Sequence, residues 1–159
     1  MQAATGPDVK RHRIIVLGQN AETSVGDAPV VVVVEDEALI RLVAGDTLAD
    51  AGFRTIGACN ADEAMTLLEA KPDTVAIVTD VKMPGSLDGF GLAHLVASRW
   101  PETGIVIVSG HALPGEGDLP ERALFLTKPY QPSALIEAVR KVTDRSVVAP
   151  LRSAPPLAG

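Results

Sequence analysis

The sequence predicts an α/β fold, a five-stranded doubly wound parallel sheet, and three observations lead there. Val30 to Val34 are five consecutive valines, a β-branched run with no polar face, as a parallel strand covered by helices on both sides requires. Further short apolar runs follow, alternating with stretches of helical period. The connections are short, so each parallel pair needs a right-handed crossover that covers one face of the sheet. A chain of 159 residues has room for one such domain.

In order, the valine run is the first strand. Ile40, Val43, Ala44, Thr47, Leu48 and Ala51 then recur at helical spacing, and Gly52 supplies the left-handed residue that ends such a helix. Phe53 to Ala58 is the second strand. Asn60 can cap a helix whose third residue is Glu63 and whose buried side holds Ala64, Leu67 and Leu68; Lys71-Pro72 closes it. Val75 to Val78 is the third strand, Phe90 to Trp100 a helix carrying Leu92, Leu95 and Val96, and Ile105 to Val108 the fourth strand. Ala123 to Thr127 gives the fifth. Pro132 opens a last helix with Leu135, Ile136, Val139 and Val142 on one side.

This domain spans residues 29–145. Residues 1–28 mix Gly, Thr, Asp and Asn with a basic patch at Lys10, Arg11 and Arg13 and a short apolar run from Ile14 to Leu17; they read as a flexible N-terminal extension. Residues 146–159 are rich in Pro and Ala and read as a C-terminal tail. A net charge of −6 and only five aromatics leave little for phosphate contacts or base stacking, so no direct nucleic-acid partner is expected. Cys59, the single cysteine, forms neither an internal disulfide nor a zinc cluster. No apolar run approaches the roughly 20 residues of a membrane span. Met1 to Lys10 contains no secretory apolar region, and the expected location is cytoplasmic.

In doubly wound sheets ligands collect at the carboxyl ends of the strands. There the sequence puts Glu35-Asp36-Glu37 after strand one, Asp80 after strand three, Ser109 after strand four and Lys128-Pro129 after strand five. A lone acid after a strand is ordinarily a helix cap or a solvated charge, and Glu37 fits that description in a first helical turn. Several carboxylates crowded at one edge are costly unless a cation neutralises them, and an all-oxygen set completed by waters suits Mg²⁺. The histidines His12, His94 and His111 have no metal-ligand spacing.

Four segments carry a resemblance: Val-Val-Glu-Asp-Glu at 33–37, Thr-Asp-Val-Lys-Met-Pro-Gly at 79–85, Val-Ser-Gly at 108–110 and Phe-Leu-Thr-Lys-Pro-Tyr at 125–130. Together they resemble the receiver domains of two-component response regulators. The resemblance implies a flavodoxin-like strand order, 2-1-3-4-5. It implies Asp80 as phosphoryl acceptor, Asp36 and Asp80 as direct Mg²⁺ ligands, Glu35 acting through water, and the Lys82 backbone carbonyl completing the protein's contribution. Ser109 looks like the family's switch hydroxyl, Lys128 like its phosphoryl-contacting amine and Phe125 like its aromatic switch. Lys82 and His111 stand where the family tunes phosphoryl lifetime. The resemblance also implies a cis peptide at Lys128-Pro129.

The function implied is a phosphorylation-controlled signalling protein rather than a conventional enzyme. Its donor would be a sensor histidine kinase or a histidine phosphotransfer protein, and its output contact with a downstream protein. The chemistry is coherent, because a carboxylate attacking an anionic phosphoryl group needs Mg²⁺ and the Lys128 ammonium to stabilise the transferring oxygens. The residues after 145 are too few and too Pro-rich for an output domain, as in single-domain regulators. One rival is an aspartyl-nucleophile phosphohydrolase of the haloacid-dehalogenase type; it needs a second acid two residues after the nucleophile, where this chain has Lys82. Another is a receiver that binds partners without phosphorylation, which leaves the full set of functional groups unexplained.

Three departures from the family pattern stand out. Glu35 replaces the commoner Asp, and the loop from Met83 to Gly89 is one residue longer than usual. In the interval that ordinarily holds the family's fourth helix, Pro114 and Pro120 bracket Gly115 and Gly117. A helix interior loses about 3 kcal/mol per Pro and nearly 1 per Gly relative to Ala. A degenerate fourth helix of at most one turn is expected, and with it a monomer or weak homodimer.

Overall fold

Residues 27–144 are described by the computed structural model. They form β1 (Val30–Val34), α1 (Ala38–Asp50), β2 (Arg54–Ala58), α2 (Ala61–Ala70), β3 (Thr74–Asp80), α3 (Gly89–Arg99), β4 (Gly104–Ser109), β5 (Leu124–Thr127) and α4 (Pro132–Thr143). Every strand pair is parallel and the order is β2-β1-β3-β4-β5, the flavodoxin-like arrangement. The basic patch and apolar run near the N-terminus and the tail over 146–159 lie outside the described residues.

The side-chain alternation of the strands divides the core in two. Val32 and Val34, with Ile77, Ile105 and Ile107, meet Ala64 and Leu68 of α2 and Leu92 and Val96 of α3. Val31 and Val33, with Ala76, Val78, Val106 and Val108, meet Ala44 and Leu48 of α1 and Leu135 and Val139 of α4. All five β1 valines are 3% exposed or less, which is why this strand carries no polar residue. Burying one such side chain contributes about 1.5–3 kcal/mol.

Local signals set the helix ends. Asn60 Oδ1 accepts the Glu63 N–H at 2.8 Å, and Glu63 Oε2 accepts the N–H of Cys59, the residue before the cap, at 2.8 Å, a variant of the capping box. The Cys59 thiol donates to the same oxygen, which raises the thiol and lowers the Glu63 carboxyl from their ordinary ranges. Gly52 takes a φ of +100° just after α1. Glu37 occupies the N-cap position of α1, where its side chain makes no capping bond.

In one place the structure departs from the expected pattern. The apolar stripe of α1 is narrower than its spacing predicts: Ala44 and Leu48 are buried, whereas Val43 is 57% exposed, beside Leu39 at 72% and Leu42 at 58%. The helix lies chiefly over β2, an edge strand, so a single row of side chains reaches the sheet. Between Ser109 and Leu124 there is no helix, within the limit of at most one turn that Pro114, Gly115, Gly117 and Pro120 set. Residues 110–123 run as turns, bends and irregular backbone, with Ala112, Leu119 and Ala123 packed on the α2/α3 core.

Candidate functional site

Strand polarity brings the polar residues to one edge. Glu35, directly after β1, is 4% exposed, whereas Asp36 beside it is open to solvent. Asp80 is the last residue of β3. Glu35, Asp36 and Asp80 each offer a carboxylate oxygen, all within 4.8 Å of one another. The end of β5 delivers Lys128, whose Nζ lies 2.9 Å from Glu35 Oε2 and 3.6 Å from Asp80 Oδ2. The Lys128-Pro129 peptide is cis, as expected.

Contacts with the backbone hold the buried Glu35 and the half-buried Asp80 in place. Glu35 Oε1 accepts the Glu37 N–H at 3.2 Å, and Arg41 Nη1 donates to the Glu35 carbonyl at 2.6 Å. Asp80 Oδ1 accepts the Val81 N–H at 2.9 Å, and the Thr79 hydroxyl donates to the Asp80 carbonyl at 2.9 Å. Behind Asp80, Gly89 opens α3 and donates its N–H to the Val81 carbonyl at 2.8 Å. A Cβ at Gly89 would stand 2.0 Å from the Asp80 carbonyl oxygen, so the helix starts this close to the strand end only because residue 89 is glycine. Reading the sequence overlooked Gly89. The available signal was Asp88 before it, whose Oδ1 caps α3 by accepting the Gly91 N–H at 2.8 Å.

Burial pushes the Glu35 carboxyl above its usual range, against hydrogen bonds from Lys128 and the Glu37 N–H. Burial pulls Lys128 down, but the Glu35 hydrogen bond and the Asp80 charge outweigh it and hold the ammonium above its usual range. Burial also raises the Tyr130 phenol, two residues along the chain. Three carboxylates against one ammonium leave the edge anionic, and an oxygen-only donor set with one solvent-open member fits a hard divalent cation such as Mg²⁺.

The other residues singled out from the sequence lie on β4, on β5 and in the loops that follow β3 and β4. Ser109 is buried at the end of β4, one step beyond Val108, which pairs with Asp80. Its Oγ accepts the Ala112 N–H at 3.0 Å and the His111 N–H at 3.4 Å. Phe125 pairs with Ile107 and packs, half-buried, against the α2/α3 core. Lys82 and His111 are exposed.

The family profile of the response regulator receiver domain matches residues 31–140. The chain belongs to this family. A putative NtrX-like response regulator of Rickettsia conorii is 37% identical to this receiver over 82 residues, 51% of this chain and 17% of that protein. The transcriptional regulatory protein PdtaR of Mycobacterium tuberculosis is 37% identical over 123 residues, 72% of this chain and 57% of its own length. The chain therefore spans less than two thirds of either relative. A response regulator receiver protein from Sinorhizobium medicae superposes with a TM-score of 0.69 at 29% identity, covering 74% of this chain and 95% of its own. The chemotaxis protein CheY4 of Vibrio cholerae superposes with a TM-score of 0.63 at 26% identity, over 72% and 98%. Receivers are signalling modules of two-component systems and bind Mg²⁺ at an acidic site. Among the described residues of this receiver, no helix is long and apolar enough to cross a membrane.

Proposed function

We propose that this receiver accepts a phosphoryl group on Asp80 from a phosphohistidine, carried by a sensor histidine kinase or a histidine phosphotransfer protein, and signals in the cytoplasm by contact with a downstream protein. The observation that carries the reading is the Lys128 ammonium, poised between Glu35 and Asp80 at the mouth of a three-carboxylate cluster. In the transfer, an Asp80 carboxylate oxygen bonds to phosphorus as the bond from phosphorus to the donor's imidazole nitrogen breaks, and that nitrogen takes a proton from water. Lys128 exchanges Glu35 for the phosphoryl oxygens, where a charge-assisted bond opposes the accumulating negative charge. Asp36 and Asp80 would hold Mg²⁺ directly, Glu35 through water and the Lys82 carbonyl as a further ligand; bound there, the ion offsets the charge of carboxylates and phosphoryl group.

Ser109 then donates its hydroxyl to the phosphoryl group, and Phe125 takes the space it vacates. Lys82 and His111 flank the approach of water. The donor protein docks on α1, where Leu39, Leu42 and Val43 form an exposed apolar row beginning just after the acids, a face suited to burial against a partner helix. With no helix between β4 and β5, the surface open to pairing of two receivers is reduced, in keeping with a monomer or weak homodimer.

The deciding experiment is incubation with Mg²⁺ and acetyl phosphate, followed by intact mass measurement of wild type and Asp80→Ala. One phosphoryl adduct in wild type alone supports the reading. An adduct in both proteins, or in neither, overturns it.

A further inference from the structure

Gly57 sits in β2 opposite Val33, on the face of the sheet that α1 covers. A glycine inside a strand gives up packing and order, so it marks a bulge, a left-handed backbone or a close approach. Its φ lies outside the left-handed region and its pairing with β1 is regular, which leaves the close approach. A Cβ there would stand 2.9 Å from Cδ of Arg41, 3.1 Å from its Nε and 3.3 Å from its Cγ. The arginine stem, reaching down from α1, therefore crosses the strand through the space that a side chain would fill. At the end of that stem, Nη1 donates to the Glu35 carbonyl at 2.6 Å. The Glu35 N–H donates to the carbonyl of Ala58, the residue after Gly57, at 2.9 Å. Both backbone groups of Glu35 are thus held, one by β2 and the other by a side chain that β2 lets through.

We propose that Arg41 is a positioning residue for the acidic cluster, fixing from α1 the peptide that carries Asp36, and that Gly57 is glycine to admit it. The inference rests on the reading of Glu35, Asp36 and Asp80 as a cation site. The Glu35 carbonyl belongs to the same planar unit as the Asp36 nitrogen and Cα, so a bond to that oxygen sets the direction in which Asp36 leaves the backbone. Asp36 has the greatest need of it. Glu35 is buried and bonded to Lys128, and Asp80 ends a strand, whereas Asp36 stands open to solvent in the turn after β1. The bond from Arg41 is charge-assisted, which makes it stronger than a contact between neutral groups. A role for Arg41 as mere counter-charge has the opposite consequence for a metal. A cation beside three carboxylates competes with a divalent ion, so on charge alone its removal tightens Mg²⁺. Loss of a bond that orients a ligand weakens it.

The test is calorimetric titration of the full chain with Mg²⁺ alone, together with the NMR shift of the Glu35 carbonyl carbon in EDTA. Arg41→Met keeps a stem over Gly57 and loses the donor. It is expected to weaken Mg²⁺ binding by about tenfold and to move the Glu35 carbonyl carbon upfield, as loss of a hydrogen bond does. Arg41→Lys, a cationic donor on a stem of similar length, is expected to recover much of the affinity. Gly57→Ala reaches the same bond from β2, pushing the stem aside while leaving the guanidinium in the protein. It is expected to weaken Mg²⁺ in the wild-type background and to add nothing in Arg41→Met, because its effect passes through the arginine. Unchanged or tighter Mg²⁺ binding in Arg41→Met overturns the proposal, as does an unmoved carbonyl carbon. Equal losses from Gly57→Ala with and without Arg41 overturn the part given to Gly57. Should Arg41→Met not fold, undiminished affinity in Gly57→Ala overturns the proposal in its place. Failure of wild type to bind Mg²⁺ overturns the cation-site reading and the role of Arg41 in it, and the carbonyl shift then decides alone whether Arg41 orients the peptide.

Discussion

Lys128 Nζ and Glu35 Oε2 lie 2.9 Å apart, joining residues 93 positions apart in the chain and the ends of two strands that are not neighbours in the sheet. The ammonium is the counter-charge to a carboxylate that is nearly sealed from water and already faces Asp80. Removing it leaves Glu35 to lose its proton unaided.

Lys128→Met is therefore expected to destabilise the metal-free protein by about 1–3 kcal/mol at pH 7. Glu35 holds its proton more tightly when folded than when unfolded, so its ionisation takes stability away as pH rises from the ordinary value of 4.5 through the folded pKa. Without Lys128 that folded pKa climbs further, and near pH 4.5 most of the penalty disappears because Glu35 is protonated. Urea unfolding in EDTA at the two pH values measures both; an equal penalty at each refutes the assignment.

Metal affinity should depend on Asp36 and Asp80 jointly. Without either, Mg²⁺ loses the negative charge that repays its dehydration. Asp36→Asn is expected to weaken binding by about tenfold or more, measured by calorimetric titration. Undiminished affinity would remove Asp36 from the ligand set.

Gly89→Ala should disturb Asp80 from behind. The added Cβ meets backbone on all sides, at 2.0 Å from the Asp80 carbonyl oxygen and 2.7 Å from Val81 Cα. Overpacking of that kind costs about 1–3 kcal/mol, and the acetyl phosphate reaction should slow. Gly91→Ala is the control, because its nearest contact is the flexible Leu87 side chain at 3.0 Å. Equal behaviour of the two variants would dispose of the idea.

Phosphoryl lifetime should shorten several-fold in Lys82→Ala and His111→Ala. In the proposed reading each substitution removes a side chain that flanks the approach of water to Asp80, and Lys82→Ala also removes an ammonium able to pair with phosphoryl oxygens. Phosphate release after removal of the phosphodonor reports the rate, and unchanged decay in both variants means that these side chains simply face solvent.

Glu35, Asp36, Asp80, Ser109 and Lys128 can be picked out before folding because each stands where an apolar run stops, and parallel strands carry all such stops to one edge. The lost helix is equally legible in Pro114, Gly115, Gly117 and Pro120, whose backbone preferences oppose a helix interior. The exposure of Val43 is not. Helical spacing tells which face of α1 turns inward, whereas the width of the buried stripe depends on α1 lying over an edge strand. Nor does spacing reveal Gly89 or Arg41. One answers to the approach of two backbones, the other to where a side chain of α1 crosses a strand, and both distances exist only in the folded chain.

During synthesis, Val30–Val34 leaves the ribosome well before Arg54–Ala58 and Thr74–Asp80, the two strands that will flank it. A five-valine strand waiting for its neighbours is the type of segment that pairs with the wrong chain. Pro29 before it supplies no amide hydrogen, and Glu35-Asp36-Glu37 after it supply like charges, a flanking pattern that suppresses such association. Two of these three carboxylates crowd together in the finished receiver, where a cation would relieve them. In the nascent chain the same repulsion works in the protein's favour, keeping the valine strand solitary until the rest of the sheet has been made.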